Sequence, residues 1–520
     1  MQILPAQEVR RLDLRTIQEL GIPAELLMDT AGRAIADVIT ERLGPGSGRS
    51  AVVLAGVGNN GGDGLVVARV LAGRGWLVHV LLAGDPAKMT AETQLHHRAA
   101  LQYPGQQGTL SLEAVTEAPR GQRLSDLQNR LEQSTVIVDA LAGTGLQGPL
   151  REPLLTLAAQ LDGHHRALVV AADIPSGLCA TTGQVLGAAV HCDTVVAMAA
   201  LKPGLLLGQG PQLHRELRVA DIGIPPAWLD AAQPRGDLLD AELARSWVTQ
   251  RQDHGHKGTF GHLLALAGSP GKGGAALLTC GAALRVGTAL VTLGVVQQRG
   301  TQCQLRDQLE GLLPDVMAEE ASPASLPALL LRNSAVLAGP GMGTGAEALQ
   351  ALEQVAARAT GPLLFDADAL TLLAAQPQLV ASAAGRLVLT PHPGEMARLL
   401  GLEVSAVEAD RLGAAREAAQ RWQAVVVLKG HRTLVAAPQG RWAICNQPNA
   451  ALARGGSGDV LAGAIGGLLA QGMAPFEAAA LGVWLHSRAG AALRRQFGSR
   501  SGLASELGLL LATAVQELES

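Results

Sequence analysis

Short apolar runs that lead directly into glycine-rich loops are the feature that most constrains the fold of this chain. The run Ser50–Leu54 precedes the loop AGVGNNGGDG, and the run Ala424–Leu428 precedes the loop KGHRT. Apolar runs without strict alternation of polar and apolar residues are typical of strands that are covered on both faces. In this chain, helix-like stretches such as 64–74 separate the apolar runs. The pattern therefore predicts an α/β fold with mostly parallel sheets between layers of helices.

The placement of these loops also predicts where ligands bind. The carboxyl ends of parallel strands meet at one edge of a sheet, where ligand crevices form. The chain has 63 glycines in 520 residues, more than the usual share of about 7%. Because glycine allows tight loops and a close approach of the backbone to a ligand, we expect binding sites with many backbone contacts at this edge.

One proline-rich segment predicts the division into domains. Residues 224–235 contain three prolines and interrupt the alternation of strands and helices, which then restarts. Segments of this kind are typical of domain boundaries. We therefore expect a first domain over 1–225, a linker over 226–240 and a second domain over 241–520.

Charge and composition exclude several classes of function. The 41 Lys and Arg residues are balanced by 45 Asp and Glu residues, whereas a nucleic-acid-binding protein would show a basic patch. No apolar run of about 18 residues predicts a membrane span, and the N-terminus lacks the apolar segment of a secretory signal. The scattered cysteines form no CxxC pair and argue against a disulfide framework or a zinc site; they are Cys179, Cys192, Cys280, Cys303 and Cys445. We expect a cytoplasmic homo-oligomer that binds small molecules, with no nucleic-acid or membrane partner.

The first glycine-rich loop carries polar side chains in its middle: Asn59, Asn60 and Asp63. It therefore differs from the GxGxxG fingerprint of dinucleotide-binding folds. Backbone N–H groups at the start of a helix suit an anion, and the amide and carboxylate oxygens suit a polar ligand or a hard cation. The alternative is a tight structural turn in which Asn adopts a left-handed conformation.

Two further loops begin with an acidic residue at a strand end. Asp139 opens the segment DALAGTGLQGP, and Asp173 opens DIPSG. Alone, each could be a helix cap or a turn former, but together with the asparagine loop they form a cluster of oxygen ligands for a cation. Lys202, in the segment LKPG, is a lone basic group that we expect at the same edge of the sheet.

Four motifs of the first domain resemble, in their order, the NAD(P)HX epimerase domain of the YjeF N-terminal type. They are GNNGGDG, DALAGTGLQGP, DIPSG and LKPG. The resemblance implies a three-layer, Rossmann-like domain that interconverts the R and S epimers of hydrated NADH and NADPH (NADHX and NADPHX). It implies a potassium ion held by Asn60, Asp139 and Ser176, and proton handling by Asp173 and Lys202. The implied substrate site has Asp173 beside it and consists of Asn59, Asn60, Gly61, Gly62, Asp63, Gly143, Thr144, Gly145, Leu146, Gln147, Gly148 and Pro149.

The segment ARGGSGDVLAG is the strongest single motif of the second domain. Its consecutive glycines free backbone N–H groups to converge on phosphate oxygens, and the helix that follows adds a favourable potential for an anion. Asp459 lies at the edge of this anion hole. A carboxylate there would repel a phosphate at rest, but it can take a proton from a hydroxyl during phosphoryl transfer. The alternative is a residue of the first helical turn with no chemical role.

Other loops of the second domain also follow candidate strands. Lys429, followed by glycine, suits contact with a nucleotide phosphate or ribose, although an exposed lysine in a hairpin is the alternative. His392 stands between two prolines, which present it rigidly and favour ligand contact over a structural role. Asp366 and Asp368 could orient a magnesium ion or its waters, or could cap the next helix.

Seven motifs within about 243–511 together resemble the ADP-dependent NAD(P)HX dehydratase domain of the YjeF C-terminal type. They are HKGxxG, AGSxGxxGAA, GPGMG, DADAL, TPHPGE, LKGxxT and GGSGDVLAG. The resemblance implies a ribokinase-like fold and Mg²⁺ bound with ADP. The implied hydrate-binding residues are Ala275, Gly341, His392 and Asp459, and the implied nucleotide-binding residues are Lys429, Gly430, His431, Arg432, Thr433 and Gly458. This chain departs from the family pattern at Pro448 and Ala451, which replace glycines, and at Ser457, which replaces a common threonine.

The two resemblances together imply a bifunctional NAD(P)H-hydrate repair enzyme. Asp459 would deprotonate the hydroxyl of the S hydrate, which attacks the terminal phosphate of ADP; phosphate then leaves, giving NAD(P)H, AMP and phosphate. The first domain would supply the S epimer from the R epimer. Two alternatives remain: a sugar or vitamin-precursor kinase of the ribokinase type, which leaves the first domain unexplained, and a non-catalytic sensor of nicotinamide nucleotides.

Overall fold

The computed structural model describes residues 2–44, 46, 48–103, 109–161, 166–248, 251, 255–296, 312–447 and 449–519. Cys303 and Pro448 lie outside these ranges. The chain forms two compact units, Met1–Arg235 and Gly236–Ser520. The segment 226–240, which we expect to be a linker, spans this division and contains the helix Pro226–Ala231 and the strand Gly236–Leu238.

The first unit is built on a parallel sheet. Its strands are β1 (Gln2–Ile3), β2 (Ser50–Gly56), β3 (Leu77–Ala83), β4 (Leu110–Val115), β5 (Val136–Ala140), β6 (Leu168–Ala172), β7 (Cys192–Met198) and β8 (His214–Ala220). The sheet has the order β4-β3-β2-β5-β6-β7-β8, and all neighbouring strands run parallel. The order reverses between β2 and β5, which is the point where a ligand crevice forms in open α/β sheets.

Helices connect the strands of the first unit. They are Ala6–Leu20, Ala24–Leu43, Asn59–Gly73, Ala91–Leu101, Gln122–Gln133, Leu154–Ala159, Pro203–Leu206 and Pro226–Ala231, with 3₁₀ turns at Pro86–Lys88 and Gly210–Gln212. Helix Asn59–Gly73 follows β2, and ten of its residues are buried, because it packs in the apolar core with β2 and β5. Its first turn therefore holds the asparagine loop firmly at the carboxyl edge of the sheet.

The second unit also contains a mainly parallel sheet. Its strands are β9 (Gly236–Leu238), β10 (His262–Leu266), β11 (Leu290–Val295), β12 (Met317–Glu320), β13 (Ala335–Ala338), β14 (Leu363–Phe365), β15 (Leu387–Leu389), β16 (Val425–Leu428), β17 (Leu434–Ala436) and β18 (Trp442–Ile444). Within this unit the order is β9-β18-β17-β16-β15-β14-β13-β10-β11-β12. Only the pairs β16–β17 and β17–β18 in this order are antiparallel. The predicted α/β class is confirmed in both units.

The helices of the second unit place the candidate phosphate site. They are Ala241–Trp247, Gly273–Arg285, Leu326–Arg332, Ala346–Arg358, Ala367–Ala375, Pro393–Leu400, Val404–Ala409, Arg411–Trp422, Ser457–Ala470, Pro475–Ser501 and Ala504–Glu519, with 3₁₀ turns at Pro377–Ala383 and Ala450–Leu452. Helix Ser457–Ala470 packs closely on helix Gly273–Arg285, since a Cβ at Gly463 would lie 2.1 Å from the Thr279 carbonyl oxygen. Among the described residues, no helix is both long and apolar enough to cross a membrane.

Candidate active sites

A buried carboxylate organises the carboxyl end of β5. Asp139 is fully buried, and its two oxygens accept hydrogen bonds from the Ser176 hydroxyl at 2.6 Å and the Ser176 N–H at 2.8 Å. The Leu141 N–H donates a third bond at 3.2 Å. Burial raises the pKa of Asp139 to about 6. The structure thus brings together two of the three predicted potassium ligands.

The third predicted ligand, Asn60, faces the loop after β5. A Cβ at Gly143 would lie 3.1 Å from the Asn60 side chain, so the two loops touch here. The loop after β2 is equally tight, because a Cβ at Gly61 would lie 1.8 Å from the Gly56 carbonyl oxygen. The Nδ2 atom of Asn60 is buried without a hydrogen-bond partner in the described part of the chain. This atom is a hydrogen-bond donor, so it suits an acceptor group of a ligand.

Asp173 and Lys202 form an ion pair. Lys202 is 1% exposed, and its ammonium donates hydrogen bonds to Asp173 Oδ1 and, at 2.9 Å, to the Met198 carbonyl. Asp173 has a φ of 64°, a left-handed conformation uncommon for residues other than glycine. The Met198 N–H also donates to its Oδ1 at 2.9 Å. The structure therefore joins the two residues predicted to handle protons.

Two further carboxylates interact with this pair. Burial raises the pKa of Asp63 well above its usual value, and the carboxylates of Asp173 and Asp13 add to the rise. Burial also raises the pKa of Asp13 to about 6; Lys202 opposes this shift and Asp173 adds to it. Asp13 lies on helix Ala6–Leu20. The sequence analysis did not identify it, because no motif surrounds it, 160 positions before Asp173.

The predicted substrate loops have further neighbours that the motifs missed. Thr90 donates a hydrogen bond to Asn59 Oδ1 at 2.7 Å. Arg10 approaches the loop 143–149, since a Cβ at Gly145 would lie 3.0 Å from its guanidinium. Loop 143–149 is partly or fully exposed at each of its residues. It therefore remains accessible to a ligand, as its predicted role requires.

In the second unit, Asp459 lies in the first turn of a helix that begins in a glycine-rich turn. Gly456 precedes the helix with a φ of 86°, and Ser457 is fixed by His486, whose Nε2 lies 3.1 Å from the Ser457 hydroxyl. Burial and the Asp366 carboxylate raise the pKa of Asp459 to about 6, although Lys429 opposes the shift. A carboxylate with this pKa can accept a proton near neutral pH.

Lys429 links the phosphate site to a buried acidic group. Its ammonium donates to Asp366 Oδ1 at 2.6 Å and lies 3.8 Å from Glu395 Oε2. A Cβ at Gly458 would lie 3.5 Å from this ammonium, so a positive charge stands beside the start of the helix. Burial lowers the pKa of Lys429, but the carboxylates outweigh this effect and the net shift is upward. Lys429 is therefore a stable cation next to the anion hole.

Asp366 and Asp368 do not act as simple helix caps. Asp366 stands before helix Ala367–Ala375 but makes no capping hydrogen bond; it is 2% exposed and also accepts from Thr390 at 2.8 Å. Asp368 accepts from the Gly343 N–H at 2.8 Å and pairs with Lys272 at 3.1 Å. Both carboxylates are thus engaged by lysines.

The predicted hydrate-binding residues are partly brought together. A Cβ at Gly341 would lie 3.3 Å from the Ala275 Cβ, so these two positions adjoin. His392 has a clear structural task, because its Nδ1 accepts from the Gly394 N–H at 3.0 Å and caps helix Pro393–Leu400. Its side chain is 53% exposed. A contact between His392 and substrate stays a prediction.

The predicted nucleotide loop, 429–433, packs against the side chain of Arg411. The Arg411 guanidinium donates to the Lys429 carbonyl at 3.2 Å, and a Cβ at Gly430, whose φ is 136°, would lie 3.0 Å from that guanidinium. His431 is exposed, and Arg432 and Thr433 are partly exposed. Arg411 was not predicted, since it lies on a separate helix and contacts only the backbone of this loop.

Comparisons with known proteins agree with this arrangement. Residues 24–204 match the family described as YjeF-related protein N-terminus, and residues 263–511 match the NAD(P)H-hydrate dehydratase family. The bifunctional NAD(P)H-hydrate repair enzyme Nnr of Moorella thermoacetica is 37% identical over 527 residues, covering 100% of this chain and 97% of the relative. That of Escherichia coli K12 is 36% identical over 505 residues, covering 96% and 92%.

A solved structure supports the fold of the larger part. A ribokinase-like superfamily protein from Enterococcus faecalis V583 has a TM-score of 0.50 and 27% identity, covering 55% of this chain and 97% of its own. The fold and the sites thus define a two-unit α/β enzyme with a ribokinase-like part. The chain belongs to the family of bifunctional NAD(P)H-hydrate repair enzymes, which confirms the resemblance in the sequence.

Proposed function

We propose that the first domain, 1–225, interconverts the epimers of NADHX and NADPHX, and that the second, 241–520, dehydrates the S epimer with ADP. The observation that carries the proposal is the position of Asp459 in the first turn of helix Ser457–Ala470, with the Lys429 ammonium beside that helix start. A base and a cationic anion site are thereby combined at one helix N-terminus. The relatives named above are repair enzymes for the same class of hydrate.

The proposed dehydration uses these groups in sequence. Asp459 takes the proton of the hydrate hydroxyl, and the oxygen attacks the terminal phosphorus of ADP as the bond to AMP breaks. Backbone N–H groups of 455–458 and the Lys429 ammonium stabilise the charge on the transferred phosphoryl group. The carbon–oxygen bond of the phosphorylated hydrate then breaks, phosphate leaves, and a proton is lost from the neighbouring carbon. The ring double bond is restored, giving NAD(P)H, AMP and phosphate.

The first domain fits a potassium ion. Asp139 is a fully buried carboxylate whose hydrogen-bond partners in the described part of the chain are neutral, and Asn60 Oδ1 borders the loop that follows Asp139, 3.1 Å from the position of a Cβ at Gly143. Oxygens of Asn60, Asp139 and Ser176 would hold the ion, and its charge would offset that of the buried carboxylate. The ion would fix the loops after β2 and β5 without taking part in proton transfer.

For Mg²⁺ in the second domain, the chain offers fewer ligands. Asp366 and Asp368 are each engaged by a lysine. No group of three or more His, Cys, Asp or Glu in the described ranges could hold a metal ion. We therefore propose that Mg²⁺ enters with ADP, held mainly by phosphate oxygens and water, as is usual for this ion. Its contribution would be neutralisation of phosphate charge.

The assembly and location that we propose are a homo-oligomer in the cytoplasm, acting on small molecules. Within the described ranges, no disulfide involves Cys179, Cys192, Cys280 or Cys445. Cysteines outside disulfides suit a reducing compartment.

The test of the dehydratase assignment is recovery of NADH from NADHX of mixed epimers with ADP, followed by absorbance. Because general base catalysis contributes about 10²–10⁴-fold, Asp459→Asn should reduce recovery by at least this factor while epimerisation, followed by chromatography, continues. Near-wild-type recovery by the variant would show that another group is the base. A stable phosphorylated product would instead favour a kinase of the ribokinase type.

A further inference from the structure

Asp13 occupies an unusual position for a charged residue on an N-terminal helix. Its Oδ1 atom is buried and has no hydrogen-bond partner in the part of the chain that the structure describes. Carboxylate oxygens in such a position are costly unless a ligand or proton satisfies them. An orphaned oxygen beside a proposed substrate site therefore requires an explanation.

The first residues of the chain fix helix Ala6–Leu20 over the Lys202 end of the sheet. Ile3 bridges Leu201 in parallel, the Leu4 N–H donates to the Leu201 carbonyl at 2.9 Å, and the Leu201 N–H donates to the Gln2 carbonyl at 3.2 Å. Leu201 directly precedes Lys202. The helix that follows is thus held next to the Asp173–Lys202 pair.

The same helix also reaches the substrate loop after β5. Arg10 lies one turn before Asp13, and its guanidinium stands 3.0 Å from the position of a Cβ at Gly145. Residues three apart share one face of a helix, so this face of helix Ala6–Leu20 borders the site. The charged groups around Asp13 are Arg10 on its own helix, Asp63 on helix Asn59–Gly73, Asp173 after β6 and Lys202 after β7.

We propose that Asp13 is the acid of the epimerase site, and that Asp173, held by Lys202, is its base. This inference rests on the proposed epimerase function. Hydration of the enamine in a reduced nicotinamide ring places the hydroxyl on the carbon next to the ring nitrogen. Inversion at this carbon needs one group that gives a proton and one that takes a proton.

The proposed step balances without a further reactant. Asp13 gives its proton to the hydroxyl oxygen, the carbon–oxygen bond breaks with both electrons on oxygen, and water leaves while the nitrogen lone pair forms a C=N bond. Water then adds to the opposite face, its oxygen forms the new bond, and the C=N electron pair returns to nitrogen. Asp173 takes the proton of the added water, and solvent returns a proton from Asp173 to Asp13.

Asp13 is better suited to this exchange than Asp63. Burial and the neighbouring carboxylates of Asp173 and Asp13 raise the pKa of Asp63 well above its usual value, which favours its protonated form. Burial raises the pKa of Asp13 only to about 6. An acid with this pKa can both release and regain a proton near neutral pH. Asp63 would instead donate a hydrogen bond to the substrate.

The test measures conversion of R to S NADHX by the full chain without ADP, at several pH values. Asp13→Asn should lower kcat by about 10²–10⁴-fold with little change in KM, and should abolish the decline in wild-type rate as the pH rises past about 6. Asp13→Glu should recover part of the rate. The matched control is Glu19→Gln, on the exposed end of the same helix, which should behave as wild type.

The outcomes distinguish a failure of the proposed epimerase function from a failure of the proposed role of Asp13. If the wild type does not interconvert the epimers, the proposed epimerase function is wrong. If it does and Asp13→Asn keeps the wild-type kcat and pH profile, only the role of Asp13 is wrong. Urea unfolding of each full-length variant shows whether the first unit is folded, because dehydration of the S epimer reports only on the second unit. Should Asp13→Asn not fold, an unshifted pH profile in Asp13→Glu would overturn the role, and a shifted one would support it.

Discussion

At the scale of single residues, Asp459 and Asp366 form an electrostatic pair whose effect on the reaction can be measured. The Asp366 carboxylate raises the pKa of Asp459, and the Lys429 ammonium lowers it. Lys429 also pairs directly with Asp366 at 2.6 Å. The protonation of the proposed base therefore depends on a neighbour that does not need to touch the substrate.

This arrangement predicts the pH dependence of dehydration. Asp459 must be ionised to act as a base, so the rate should rise as the pH increases through about 6 and then level off. Asp366→Asn removes a negative neighbour of Asp459, so the Lys429 ammonium lowers the pKa of Asp459 with less opposition. The rise of the dehydration rate should therefore move to lower pH. The measurement is the dehydration rate of S NADHX from pH 5 to 9.

Titration of ADP itself provides the internal control for that measurement. A terminal phosphate also changes charge near pH 6, but its titration is the same for both proteins. If the rise of the dehydration rate occurs at the same pH in Asp366→Asn as in wild type, the protonation of the nucleotide, and not that of Asp459, controls the rate. Glu353→Gln, an exposed substitution in the same unit, should leave the profile unchanged.

Residues with a role defined by local motifs were predictable, whereas partners from distant segments were not. Asp139 with Ser176 and Asp173 with Lys202 meet because parallel strands bring their carboxyl ends together. Asp13 lies on a helix with no motif around it, and nothing in its neighbours indicates that its Oδ1 atom is buried. Asp366 and Lys429 both lie in recognised motifs, but their pairing was not predicted, because the motifs do not show which of these loops, 63 residues apart, are in contact.

At the scale of elements, the close packing of two helices positions the anion hole. A Cβ at Gly463 would stand 2.1 Å from the carbonyl oxygen of Thr279 on helix Gly273–Arg285. Thr279 also donates a hydrogen bond to the Asp459 carbonyl at 3.3 Å. The separation of the two helices therefore sets the position of Asp459.

Gly463→Ala should separate these helices. The added methyl group meets backbone, which cannot rotate away, so we expect a destabilisation of about 1–3 kcal/mol and a loss of dehydration with epimerisation retained. The matched control is Gly281→Ala on the partner helix, where a Cβ meets nothing within 4 Å. It should raise stability by up to about 1 kcal/mol, because alanine favours a helix. Urea unfolding and both activity assays measure these effects; equal behaviour of the two variants would contradict the packing argument.

Central strands were predicted more fully than edge strands. The runs Ser50–Leu54 and Ala424–Leu428 lie within or beside β2 and β16, which are buried on both faces. β4 and β12 were not predicted; both lie at sheet edges and expose several side chains. Their sequences, LSLEAV and MAEE, are partly polar, so a search for apolar runs does not find them.

At the scale of the whole molecule, two compact units carry the two proposed reactions. Because each unit has its own core and its own candidate site, a substitution at one site should leave the other reaction intact. The yield of NAD(P)H from mixed epimers nevertheless depends on both sites, since only the S epimer is expected to be dehydrated.

Asp173→Asn should reveal this dependence in a single time course. With mixed epimers and ADP, wild type should convert all of the hydrate to NADH. The variant should convert the S fraction at the wild-type rate and then slow to the rate of spontaneous epimerisation. Absorbance records both phases, and chromatography should identify the remaining hydrate as the R epimer. Complete single-phase recovery by the variant would mean that Asp173 is not required.

The burial of the two site lysines has a practical consequence for handling the enzyme. Only five lysines occur in the chain; Lys202 and Lys429 are 1% and 18% exposed at their side chains, whereas Lys88, Lys257 and Lys272 are exposed. Acylating reagents attack accessible, uncharged amines. Among the lysines, attachment to an amine-reactive resin should therefore occur through the outer three, leaving both ion-paired ammonium groups unmodified and the immobilised protein usable for regenerating nicotinamide cofactors.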